Sequence, residues 1–135
     1  MKIVTRMLGD ELFEGKNESG NTVKVDLRKG AEKVNLSPTE MVLSALAGCS
    51  GVDVISMLRK RKKSIDEFVI ETDGTKHEPA PHYFTNIHVA FTLTSSDATE
   101  EELQKISALA LEKYCSVASS LKAEISFSVK VKRPA

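Results

Sequence analysis

Residues 38–62, PTEMVLSALAGCSGVDVISMLRKRK, constrain this chain more than any other stretch. Ser37 is placed to be an N-cap, Pro38 takes the first helical position, and Glu40, three residues after the serine, completes a capping box. At the other end Arg59 to Lys63 form a cationic run that complements a helix C-terminus. The spacing predicts one helix of about 25 residues, about 37 Å long. Up to Leu58 its apolar and small residues occupy nearly every face, the pattern of a central, buried helix. One sheet of a 135-residue chain cannot cover such a helix on all sides, so the helix is expected at the interface of a homodimer.

Around it the chain reads as strands. KIVTRML, ELFEG and NTVKVDL are three short strands joined by GD and by KNESG, a polar turn ending in Gly20. Residues 28–36 are polar and irregular, a loop. After the helix, EFVIETDG and YFTNIHVAFTLTSS are strands, the second alternating Ile87, Val89, Phe91 and Leu93 with polar or small residues. TKHEPAPHY, with two prolines, is a loop between them. A helix follows, opening at Asp97 or Thr99 and carrying Leu103, Ile106, Leu109 and Ala110 at helical period. CSVASSLK predicts a further short helix, and AEISFSVKVK a last strand with Ile125, Phe127, Val129 and Val131 on one face. The expected architecture is a single α+β domain over residues 1–135.

Charge and cysteine use narrow the function. With 19 basic and 19 acidic residues no net charge steers the chain toward nucleic acid or an anionic membrane. The N-terminus has no signal-peptide pattern, and the apolar segment around residues 41–58 is broken by Ser44, Ser50, Asp53 and Ser56, short of a membrane span. A cytoplasmic protein is expected. In that compartment two well-separated cysteines are not a structural disulfide, and they lack the close pairing of a zinc site. His82 and His88, about 20 Å apart on an extended chain, cannot share a metal ion. His77 falls in the proline-containing loop as an exposed polar residue.

Two motifs now stand out: SPTEMVLSALAGCS, with Cys49 midway along the long helix, and EKYCSVASSL, with Cys115 at the start of the short one. Together they resemble the paired signature of the OsmC/Ohr family, the osmotically induced and organic-hydroperoxide-resistance proteins, and the order of elements extends the resemblance over nearly the whole chain. The resemblance implies an intertwined homodimer whose long central helices are wrapped by antiparallel sheets. It also implies a thiol peroxidase with no metal or organic cofactor. Cys49 would attack an organic hydroperoxide and become a sulfenic acid, and Cys115 would resolve it to a disulfide. A dithiol, in the family often a lipoylated protein, would reduce the pair again.

Only a thiolate is nucleophilic, and about 3% of an ordinary thiol is ionised at neutral pH. The middle of a helix supplies little dipole, so a cation is needed. The family uses an arginine held by a glutamate at the helix start. Arg28 is the candidate, against a solvated loop arginine; Arg6 lies in the first strand. The family's glutamate position holds Thr39 here, with the acid one residue later. Glu40 and Cys49 lie about 180° apart around one helix at about 100° per residue, so capping is the simpler role for Glu40. Asp53, at i+4 from Cys49, opposes the thiolate unless it is neutralised, most simply by the same arginine shared between them; the alternative is that Asp53 belongs to a dimer-interface polar network and Cys49 is weakly reactive or no peroxidase. Cys115, at a helix N-terminus, is expected to gain from the unpaired N–H groups there. Ser116 follows it where relatives often have proline. Against the enzyme stands a dimeric module that binds a small hydrophobic or sulfur-containing ligand with both thiols reduced. A structural or regulatory protein with inert, packed cysteines is a third reading.

Overall fold

The three N-terminal strands of the computed structural model, which describes residues 1–135, form an antiparallel meander in the order β1 (Ile3–Gly9), β2 (Leu12–Asn17), β3 (Thr22–Asp26). The polar turn before β3 is built on Asn17, whose side-chain oxygen accepts the N–H groups of Ser19 at 3.1 Å and Asn21 at 2.8 Å. Gly20 follows at φ 89°, in the left-handed region that glycine enters without steric cost. This meander and the segment after it belong to one compact unit, Met1–Val42; a second comprises Leu43–Ala135.

Residues 28–36 are tied down, not loose. The Asp26 carboxylate, fully buried, accepts from Arg28 Nε and Nη2, both at 2.9 Å, and from the backbone N–H groups of Arg28 at 3.1 Å, Val34 at 3.0 Å and Asn35 at 3.1 Å. A short 3₁₀ turn, Gly30–Glu32, lies inside the loop so closed.

Helix α1 runs from Pro38 to Lys60, as the capping residues and the cationic end predict. Glu40 Oε1 accepts the Ser37 backbone N–H at 2.9 Å and its hydroxyl at 2.8 Å, while the Ser37 hydroxyl takes the Glu40 N–H at 3.4 Å. At the far end Lys62 adopts φ 59°, and the N–H groups of Lys62 and Lys63 return to the carbonyls of Arg59 and Leu58, a Schellman closure. One expectation needs correcting. By length and composition α1 is apolar enough to cross a membrane, because its serines and single aspartate weaken the apolar run too little. Leu46, Ser50, Val54 and Leu58, one i, i+4 line along it, are nevertheless buried in protein.

In the second unit β4 (Glu67–Lys76), β5 (Phe84–Thr94) and β6 (Glu124–Lys132) form a sheet with β5 at its centre. The predicted alternation of β5 holds: Ile87, Val89, Phe91 and Leu93 are all at most 1% exposed. They meet Leu46, Val54 and Leu58 of α1 and Leu103 and Ile106 of α2 (Glu100–Leu109) in one core. Of the two cap candidates for α2, Thr99 is the one used, in a capping box with Glu102. The chain then passes through a π-turn, Ala110–Tyr114, and the short helix α3, Ser116–Ser120, into β6. The α+β class therefore stands, but this sheet is mixed: β4 pairs with β5 antiparallel and β6 pairs with β5 parallel. The helical crossover from β5 to β6 brings the chain back to the end from which it started, which is what parallel pairing requires.

Packing is close where the sheet meets α1. A Cβ on Gly74 would fall on the Phe84 ring, with Leu43 Cδ2 at 3.2 Å behind it, whereas a Cβ on Gly51 would crowd the far end of Ile70, Cδ1, at 2.7 Å, and meet Phe68 Cε2 at an ordinary 3.7 Å. Gly74→Ala should therefore destabilise the protein by about 1–3 kcal/mol, and Gly51→Ala by less, as read from paired denaturant midpoints.

Candidate active site

Cys49 projects from the middle of α1, and the core packing of Leu46 and Ser50 on either side fixes the helix that carries it. Its sulfur, half-buried, meets the start of α3. The backbone N–H groups of Val117 and Ser116 donate to it, and so does the Cys115 thiol. Cys115 is 1% exposed, stands as the N-cap of α3 in extended conformation, and its own sulfur accepts the Ala118 N–H at 3.4 Å. Two sulfur atoms thus share the three N–H groups that the first turn of a helix cannot satisfy internally. Both cysteines are free thiols.

The shared donors divide the two thiols electrostatically. The Val117 N–H does most to hold the Cys49 pKa below its ordinary value; burial works against it, and Cys115 and the Ser116 N–H add to it. Cys115 goes the other way. Burial pushes its pKa up, the Ala118 N–H offsets part of that, and the neighbouring Cys49 sulfur raises it further. The anion that this geometry favours is the Cys49 thiolate, with the Cys115 proton shared toward it. The helix terminus expected to serve Cys115 thus does more for Cys49. Nothing local in the sequence announces Ser116 and Val117, because they reach Cys49 only when α3 folds back onto α1.

Arg28 and Glu40 are engaged elsewhere. Arg28 forms the two-point ion pair with Asp26, which holds that carboxyl well below the usual carboxylate range, while the Val34, Arg28 and Asn35 donors strengthen the effect and burial opposes it. The acid that grips this arginine is therefore Asp26, which sequence reasoning passed over; a lone aspartate at a strand end gives no signal of the loop it will gather. Glu40 takes Lys33 Nζ at 2.6 Å and the Ser37 donors, and its pKa is lowered to about 2, first by Lys33. Its observed contacts are those of a helix cap.

Asp53, half-exposed, sits one helical turn beyond Cys49 with no ion-pair partner, and its charge raises the Cys49 pKa. It borders a small groove of about 240 Å³ with Ser56, Met57, Lys60 and Tyr114. A larger open groove of about 880 Å³ follows the other side of α1, floored by Gly51, Ile55, Phe68 and Ile70. The histidines stand apart from the thiols in their contacts: His77 stacks on Tyr83 at 4.6 Å, His82 bonds the His77 carbonyl, and His88 bridges the hydroxyls of Ser126 and Ser128. No group of three or more His, Cys, Asp or Glu side chains is arranged to hold a metal ion.

Comparison with known proteins identifies the family. The family model described as OsmC-like protein matches residues 30–130. Protein YhfA of Escherichia coli is 34% identical over 116 residues, covering 86% of this chain and 85% of its own. Among solved structures, a hypothetical protein from Aquifex aeolicus superposes with a TM-score of 0.87 at 24% identity, over 99% of this chain and 97% of that one. The organic hydroperoxide resistance protein OhrB of Bacillus subtilis shares the fold at a TM-score of 0.62 and 17% identity, over 98% of both chains. A family match over most of the chain, a relative this similar and a fold shared from end to end mean that the protein belongs to the OsmC-like family.

Proposed function

We propose that the protein is a thiol peroxidase that reduces organic hydroperoxides with Cys49 as the attacking and Cys115 as the resolving thiol. The observation that carries this is the opposite treatment of two touching sulfurs: Cys49 is held toward the thiolate by N–H donors, and Cys115 is kept protonated by burial. A peroxidase needs that division. The Cys49 thiolate attacks the distal oxygen of ROOH, an S–O bond forms as the O–O bond breaks, and the displaced alkoxide takes a proton to leave as ROH. The Cys49 sulfenic acid then condenses with the Cys115 thiol, releasing water and forming the disulfide. Two electrons and two protons from an external dithiol, of the lipoyl kind, restore both thiols. In this reading ionisation comes from α3; Arg28 and Glu40 act through the loop and the helix start that they brace.

The protein acts as a homodimer in this proposal. Val52 is 69% exposed in the middle of α1, beside Ala45, Gly48 and Ser56, which are also uncovered, and the open groove adjoins them. Small residues spaced along an exposed helix face allow close approach of a second helix. In the first unit Ile3, Met7 and Val23 leave an apolar sheet face equally uncovered. A second copy is the occupant that buries such surfaces symmetrically.

The chemistry is tested by thiol counting. One equivalent of an alkyl hydroperoxide should remove two thiols per chain from the native protein, none productively from Cys49→Ser, and should leave Cys115→Ser as a sulfenic acid that dimedone traps. Retention of both thiols in excess hydroperoxide would refute the peroxidase and leave the ligand-binding module. Asp53→Asn should lower the Cys49 pKa further, followed by thiolate absorbance, since it removes an unpaired opposing charge without touching the Val117 donor. Sedimentation at micromolar concentration should give twice the mass of 14.8 kDa. A stable folded monomer would contradict the dimer.

A further inference from the structure

The short helix that holds the Cys49 sulfur depends, in turn, on the two sulfurs remaining separate acceptors. We propose that the segment from the π-turn to the end of α3, residues 110–121, is a redox-coupled hinge that is ordered when both cysteines are reduced and loosens when they are joined. The proposal rests on the peroxidase reading only for the natural oxidant.

Three observations locate the moving part. Cys49 is fixed: α1 has 23 residues, Leu46, Ser50, Val54 and Leu58 are fully buried, and the Ser50 hydroxyl is spent on the Leu46 carbonyl at 2.8 Å. Cys115, though buried together with Ala110, Leu111 and Ala118, is not carried by a long helix. It lies on extended backbone, φ −72° and ψ 111°, between a five-residue π-turn and a five-residue helix, both too short to be stable alone. The π-turn closes through the Cys115 N–H, which donates to the Ala110 carbonyl at 2.8 Å. Just before it, Ser107 Oγ is the one buried side-chain polar atom in the molecule with no hydrogen-bond partner.

Joining the sulfurs brings them from hydrogen-bond contact to about 2.05 Å, and the fixed α1 leaves that displacement to Cys115. The same reaction converts the acceptors of three N–H groups, a thiolate and a thiol, into neutral disulfide sulfur. The donors of Ser116, Val117 and Ala118 are then left without strong partners. Beyond these, α3 has the backbone bonds of a five-residue helix and its ends, among them Ser119 N–H to the Cys115 carbonyl at 3.1 Å and Leu121 N–H to the Ala118 carbonyl at 3.2 Å, and the Ser120 hydroxyl to the Ser116 carbonyl at 2.8 Å. Oxidation therefore frays α3 and lets the π-turn relax, while α1 and the sheet stay as they are.

Amide hydrogen exchange on the full chain, reduced and oxidised, tests this. Two oxidants are used. A hydroperoxide accepts two electrons from the dithiol and leaves as alcohol and water; diamide takes two electrons and two protons and becomes the hydrazine. The expected result is exchange at least tenfold faster across residues 116–121 in the disulfide form, with β5 and the α1 core unchanged. Cys115→Ser, treated in the same way, should keep slow exchange there, because serine caps a helix and cannot form the bridge. A disulfide form with unchanged protection over 110–121 overturns the hinge and leaves the peroxidase reading intact, as does loss of protection spread equally over β5. Loosening with diamide where the hydroperoxide forms no bridge supports the hinge and refutes the peroxidase. Failure of both oxidants to join the sulfurs overturns both.

Discussion

The packing of α1 against β5 is the constraint on which the second unit depends. Leu46, Val54 and Leu58 lie at i, i+8 and i+12 along one face of the helix and meet Ile87, Val89, Phe91 and Leu93 on one face of the strand, all of them essentially inaccessible to water. Each such side chain contributes about 1.5–3 kcal/mol on burial, more than an ordinary neutral hydrogen bond of about 0.5–1.5 kcal/mol. Once that face is committed, the rotation of α1 is set, and Cys49 is turned toward the crossover helices. The position of the Cys49 sulfur is a consequence of core formation.

The second consequence is electrical. A thiol in the middle of a helix has no free N–H groups of its own to meet, since every neighbouring donor is spent within the helix. The fold supplies them from elsewhere by ending α2 in a π-turn and restarting the chain as α3, whose first N–H groups point at Cys49. Burying Cys115 at the same junction raises its pKa, so one terminus differentiates two identical functional groups. Asp53 works against this arrangement, yet the Cys49 pKa stays below its ordinary value.

In the first unit one buried carboxylate does comparable work. Asp26 collects the Arg28 guanidinium and three backbone N–H groups, and the loop leading to α1 is closed around it. Its depressed pKa means that the stability it provides is complete above the usual aspartate range and is lost progressively as pH falls from that range toward the lowered value. Glu40 behaves similarly at the helix start, with its contribution present above the ordinary glutamate range and lost as pH falls toward about 2. Loop and cap are thus both held by acids that stay charged through mild acidification.

The sequence by itself determined the elements whose signals are local. The capping box of Ser37 and Glu40, the cationic end at Arg59, the alternation of β5 and the break at Cys115 are written in spacings of two to four residues, where helix and strand periodicity act directly. The pairing of two cysteine motifs was legible through its resemblance to a family. Tertiary structure alone decided what surrounds each group. It chose Asp26 as the partner of Arg28, gave Lys33 and Ser37 to Glu40, left Asp53 without an ion pair, and delivered the N–H groups of Ser116 and Val117 to Cys49. It also made the β5–β6 pairing parallel. Those outcomes depend on which distant segments are brought together when the core closes, and hydrogen bonds between such segments leave no periodic trace in the chain.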